Sequence, residues 1–153
     1  MPESRIAFAD ANWLVAAYHA GKRDPVLNAW GEHPSTLIVT NAVLTEAHCA
    51  FWRLGDRAAA LAAAVKSKQI LDCGYTFESL AREAGPVWKK YAPRFHIGTM
   101  DTLHVLAARR FGCPWFLSFD TASGCRALAA VLGLRVYPEL TAEDRKIISR
   151  LRH

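Results

Sequence analysis

Short apolar runs bounded by turn or capping residues recur along the chain at 5–9 (RIAFA), 36–39 (TLIV), 69–72 (QILD), 115–118 (WFLS) and 135–137 (RVY). Runs of that kind predict strands. Longer segments with helical spacing lie between them. They include WLVAAYH after Asn12, AVLTEAHCAFWR after Thr40 and Asn41, RAAALAAAVKSK after Asp56, DTLHVLAARRF ahead of Gly112 and Pro114, and a segment beginning near Ser123. Strands alternating with helices predict an α/β fold, a central and mostly parallel sheet flanked by helices in three layers, α/β/α.

No internal repeat or linker interrupts this order, and the alanine-rich piece 58–65 reads as ordinary helix, so residues 1–153 are expected to form a single domain. From about residue 140 a basic C-terminal helix or tail is expected. Thr141 is its N-cap, Glu143 and Asp144 fall in the first turn, and Lys146, Arg150 and Arg152 follow towards the end. We read that tail as solvated or partner-facing.

Composition narrows the classes. At 153 residues and 52% apolar, with five Trp and seven Phe, the chain has ample material for a core, which excludes disorder. A formal charge of +5 and a pI near 9.2 favour polyanionic partners, nucleic acid first. No apolar run approaches the roughly 18 residues of a membrane span, and the N-terminus lacks a signal-peptide pattern, so no membrane partner and a cytoplasmic location are expected. Cys49, Cys73, Cys113 and Cys125 are scattered without metal-finger spacing and read as reduced thiols.

Four acids stand out by position. In a parallel sheet, ligands collect beyond the carboxyl ends of strands, and Asp10 and Asp120 each follow a strand directly. Capping of the following helix is the alternative for either one. Glu46 shares helical spacing with Val43 and Ala50 on a face that reads as core-directed, where an unpartnered carboxylate is costly; the alternative is a helix-edge side chain reaching water. Asp101 opens a helix that is apolar nearly all round, and a helix dipole favours an acid there in any case. If the four meet, their repulsion calls for a cation, and hard oxygen donors select Mg²⁺, with Mn²⁺ as a substitute. Phosphodiester hydrolysis is the chemistry such a site suits.

The segments carrying these acids resemble, in order, those of the PIN domain family, and within it the small VapC toxins of type II toxin–antitoxin pairs. The segments are Asp10-Ala11-Asn12, TNAVLTEAHCAFWR around Glu46, MDTLHVLAARRFG around Asp101, and LSFDTASGCRALAAVLGLRVYP around Asp120. The resemblance implies a metal-dependent endoribonuclease with Asp10, Glu46, Asp101 and Asp120 as catalytic metal ligands. It also implies an RNA substrate, a cognate VapB-like antitoxin and a homodimer. By the same resemblance Asn12 and Ser118 orient the carboxylates through hydrogen bonds, although Asn12 equally suits a helix cap and Ser118 an ordinary strand position. The tail KIISRLRH departs from the small members of the family.

His104 lies near the face of Asp101 and reads as a packed histidine supporting the site. His48 and Glu46, two apart, do not form a paired metal motif. The pairs Lys22/Arg23, Lys66/Lys68, Lys89/Lys90 and Arg109/Arg110 are candidate phosphate contacts or a solvated face; the five Trp read mainly as core or interface. GxGxxG, GxxxxGK[ST] and GxSxG are absent, which removes the usual nucleotide-binding and serine-hydrolase readings. Phosphatases and receiver domains that use an aspartyl-phosphate fit poorly, because Asn12 stands where the first group needs an acid and no clear late-strand Lys is found. The non-enzymatic alternative is a PIN-like module that binds RNA or protein without catalysis.

Overall fold

The computed structural model describes residues 5–19, 24–32 and 35–153. The elements run β1 (Arg5–Ala9), α1 (Ala11–Tyr18), α2 (Pro25–Gly31), β2 (Ser35–Val39), α3 (Asn41–Arg53), α4 (Ala59–Lys66), β3 (Ile70–Asp72), α5 (Phe77–Tyr91), α6 (Thr99–Phe111), β4 (Trp115–Leu117), α7 (Cys125–Val131), β5 (Arg135–Tyr137) and α8 (Ala142–Arg152). The strands form one parallel sheet in the order β3-β2-β1-β4-β5. The predicted strands all form, with boundaries moved by one residue at most.

Parallel strands covered on both faces need near-continuous apolar sequence. The inner strands have it: Ala7, Phe8, Ala9, Leu37, Ile38, Val39, Phe116 and Leu117 are all buried. Phe8 pairs in register with Phe116, and their rings stack 5.6 Å apart across the centre of the sheet. Right-handed crossovers place helices met while the chain moves one way along the sheet on one face, and those met on the return on the other. Helix α1 accordingly packs on α3 and α4, while α5, α6, α7 and α8 pack in sequence on one another. Helix α6, apolar nearly all round, is buried from Thr102 to Ala108.

Two helices were not picked out from the sequence. Helix α2 is short but well marked, with Asp24 accepting from the Val26 N–H and Pro25 at its first position. Helix α5 continues through Gly85 and Pro86 because Leu80, Ala84, Val87 and Tyr91 bury a common face, and it packs on α6.

The C-terminal segment differs from the solvated or partner-facing tail expected of it. It forms α8, whose Thr141 and Asp144 make a reciprocal capping box, and whose Ile147, Ile148 and Leu151 are buried where the helix packs against α7. Its basic residues Lys146, Arg150 and Arg152 stay on the exposed side. No helix among the described residues is long and apolar enough to cross a membrane.

Candidate metal centre

The strand order reverses between β1 and β4. From β1 the chain crosses to β2 on one side, and from β4 to β5 on the other, so the connections diverge and leave a crevice at the carboxyl ends of the two strands. Asp10 leaves β1 into that crevice and Ser118, Phe119 and Asp120 leave β4 beside it. The Asp10 N–H still donates to Leu117 O at 2.9 Å, so the two strand ends are pinned together where the acids begin.

Asp10 is buried and its two oxygens have separate partners. Oδ1 accepts from the Ala11 N–H at 2.9 Å, capping α1, and Oδ2 accepts from Ser118 Oγ at 3.0 Å and from Asn12 Nδ2 at 3.3 Å. Capping and membership of the crevice thus coexist in one side chain. Asn12 Oδ1 accepts from the Phe119 N–H at 2.9 Å, and Ser118 Oγ accepts from the Asp120 N–H at 3.1 Å. Asn12 and Ser118 therefore tie the first and the last of the acids into one network.

Asp101 enters from the first turn of α6. Among the described residues, one group has the donor types and proximity to hold a metal ion: Asp10, Asp101 and Cys125, with one ligand atom of each within 4.8 Å of the others. Glu46 and Asp120 are not members of this group but act electrostatically on Asp101. The Asp101 carboxyl is pushed up to about 6, first by burial and then by the charges of Asp10, Asp120 and Glu46, against an opposing hydrogen bond from Ser123. The other three sequence-selected acids are thus within electrostatic reach of Asp101.

Glu46 does not lie on a core-directed face. Its side chain is exposed, as Ala50 partly is, while Val43 and Ala47 carry the buried face of α3. Its carboxyl is nonetheless raised, by partial loss of solvent and then by Asp10. It lines a groove of about 690 Å³ between α1 and α3, with Asn12, Val15, Ala50 and Arg53 among the other walls. The Asp120 Oδ1 accepts from the N–H groups of Ala122 and Ser123, both at 3.0 Å. Helix α7 follows that turn and starts at Cys125, after Gly124, in agreement with the helix expected near Ser123.

Cys125 is the member that sequence reasoning missed, because an isolated cysteine five residues after an acid has no motif to announce it. Its thiol is pushed up to about 12, by burial first and the Asp10 charge second, and so stays protonated. His104 is buried, with Nδ1 3.2 Å from Thr40 Oγ1 and its ring 5.9 Å from that of Phe8; Nε2 has no partner among the described residues. Burial lowers its pKa, with Asp10 opposing. From α6 it packs against Phe8 of β1 and Thr40 at the end of β2.

Lys66, Lys68, Lys89, Lys90 and Arg109 are exposed, Arg110 pairs with Glu83 at 2.6 Å, and Lys22/Arg23 lie outside the described residues. Of the tryptophans, Trp13 and Trp30 are buried, and Trp52 is 81% exposed.

A parallel α/β/α sandwich with acids gathered at its switch point defines a class of fold and site. The PIN domain family model matches residues 7–129, and the chain belongs to that family. Among solved structures it is similar to VapC20 of Mycobacterium tuberculosis, a Sarcin-Ricin loop cleaving toxin, with 21% identity and a TM-score of 0.58 over 84% of this chain and 95% of that one. At that identity the likeness is one of fold. No curated protein matches.

Proposed function

We propose that the chain is a Mg²⁺- or Mn²⁺-dependent endoribonuclease with Asp10, Glu46, Asp101 and Asp120 as its metal ligands. We further propose that it acts as the toxin of a VapBC-type pair. The observation that carries this reading is the convergence of three carboxylates, those of Asp10, Asp120 and Glu46, on that of Asp101, whose charges add to burial in moving it up to about 6. Uncompensated like charges at a strand-end crevice are destabilising, and a bound cation relieves them.

The donor chemistry fits a hard divalent cation. Asp10 and Asp101, with Glu46 and Asp120 acting on Asp101, offer carboxylate oxygens to a hard divalent cation, beside the single sulfur of Cys125. Once bound, such a cation activates water and offsets the charge on the leaving oxygen of a phosphodiester. The chain's own groups hold the carboxylates in place. Ser118 and Asn12 fix Oδ2 of Asp10, the Ala11 amide fixes its Oδ1, and the Ala122 and Ser123 amides fix Oδ1 of Asp120. This leaves the rigid parts of the site to the sheet and the more exposed Glu46 to the groove, where substrate can approach along α3 towards Arg53.

Membership of the PIN family and the fold shared with an RNA-cleaving toxin support RNA as substrate and an antitoxin as partner. The net charge of +5 agrees with a polyanionic substrate. A homodimer belongs to the same proposal. A non-catalytic binding module has no need of four mutually repelling acids, so the catalytic reading is preferred. Induced expression in a bacterial host tests the toxin role and the site together: the chain should arrest growth, and Asp10→Asn should not. Arrest by both proteins to the same degree would overturn the assignment.

A further inference from the structure

Beyond the acids, one guanidinium among the described residues is fully buried. Arg126 lies in α7 and is 1% exposed, as is its ion-pair partner Asp144 in α8. Nε donates to Asp144 Oδ2 at 3.1 Å, Nη2 donates to the carbonyls of Pro138 and Glu139 at 2.7 and 2.8 Å, and Nη1 donates to the carbonyl of Ser118. One rigid planar fork thus binds the end of β4, the exit of β5 and the start of α8. Asp144 is held in turn, since the same Oδ2 accepts from the Thr141 N–H at 2.8 Å and from Thr141 Oγ1 at 3.1 Å.

The residue whose carbonyl Arg126 grips is the one whose hydroxyl reaches the acids. Ser118 Oγ donates to Asp10 and accepts from the Asp120 amide. Rotation of the Ser118 peptide would move both contacts together. We infer that Arg126 is a positioning residue for the metal site, held in register by Asp144, so that the first turn of α8 is a structural part of that site although it lies outside the segment matched to the family. This rests on the metal-centre reading above. A buried pair of this kind is weak evidence for stability by itself, because desolvation offsets attraction; a role in specifying one geometry accounts better for its retention in the core.

The test is Mn²⁺ binding by calorimetry to the purified full-length chain and to Asp144→Asn, Arg126→Lys and Leu151→Ala, each at a temperature where circular dichroism shows it folded. Leu151 is fully buried in the last turn of α8, away from Asp144 in the first, and its side chain takes no part in the polar network, so Leu151→Ala loosens that end of the helix without touching the fork. Asp144→Asn and Arg126→Lys are expected to bind Mn²⁺ about tenfold more weakly, the lower end of what loss of an outer hydrogen-bond partner costs a metal site. Leu151→Ala should bind as the unaltered chain does. In the metal-free proteins, hydrogen exchange of the Asp120 amide should quicken in the first two variants only. Lysine keeps the charge opposite Asp144 but lacks the fork, so Arg126→Lys carries the test if Asp144→Asn does not fold. Unchanged Mn²⁺ affinity and unchanged Asp120 exchange in the fork variants, or equal weakening in Leu151→Ala, would overturn the inference. Absence of Mn²⁺ binding by the unaltered chain is a different result, which overturns the metal reading and this one with it. Binding without RNA cleavage would count against the nuclease reading alone.

Discussion

A carboxyl that ordinarily titrates near 3.8 is pushed up to about 6 at Asp101 because it is partly buried and faces three like charges. Between those two pH values the folded chain keeps a proton that the unfolded chain has lost. The contribution to stability is therefore full at the acid end and is lost as pH rises through about 6. His104, with its lowered pKa, works in the opposite direction, but it is common to the unaltered chain and to Asp101→Asn and cancels between them. Metal-free Asp101→Asn should then melt with the unaltered chain near about pH 4 and a few degrees above it at about pH 7, given roughly 2–4 °C per kcal/mol for a chain of this size. Equal melting at both pH values would show that Asp101 carries no such repulsion. Arg53, which lines the same groove as Glu46, should matter for substrate and not for chemistry. Arg53→Ala is expected to raise KM about several-fold with kcat unchanged, measured on a defined RNA; a fall in kcat alone would place Arg53 elsewhere in the mechanism.

At the scale of elements, Gly124 marks where α7 must begin. Its φ of 84° is one that side chains rarely adopt, and a Cβ there would sit 2.8 Å from Phe95 Cε1 and 3.2 Å from Ile97 Cγ1. Gly124→Ala should cost about 1–3 kcal/mol in denaturant unfolding, the range for a strained backbone position. A variant as stable as the unaltered chain would contradict the packing described. Much of the element order was legible because the parallel strands are continuous apolar runs and because α6 is apolar nearly all round. The two unread helices show why the rest was not. Helix α2, at seven residues, is too short to display a period, and α5 contains Gly85-Pro86, which local propensity alone reads as a break. Only packing on α6 explains its continuity.

The site was legible to the same depth. Asp10 and Asp120 are visible as acids after strands, and Asp101 as an acid opening a buried helix. The face of Glu46 was misread because helical spacing placed it with Ala50, which is itself half-exposed. Cys125 and the Arg126–Asp144 pair lie beyond sequence reasoning, since their partners come from other elements and no spacing rule links them.

At the scale of the whole molecule, a sheet that reverses direction between β1 and β4 creates one crevice, and the chain places its acids there from two strand ends and two helices. Helix α8 closes the far side of α7 and, through Arg126, reaches Ser118. The positive net charge suits a polyanionic partner. We propose that this assembly cuts RNA with a divalent cation. The most direct test is incubation of total cellular RNA with the purified chain, with Mg²⁺ or Mn²⁺ and with chelator, beside Asp101→Asn. Discrete fragments that require the cation and are absent with the variant are the predicted result. Intact RNA under every metal, from a preparation shown to be free of bound partner, would contradict the account.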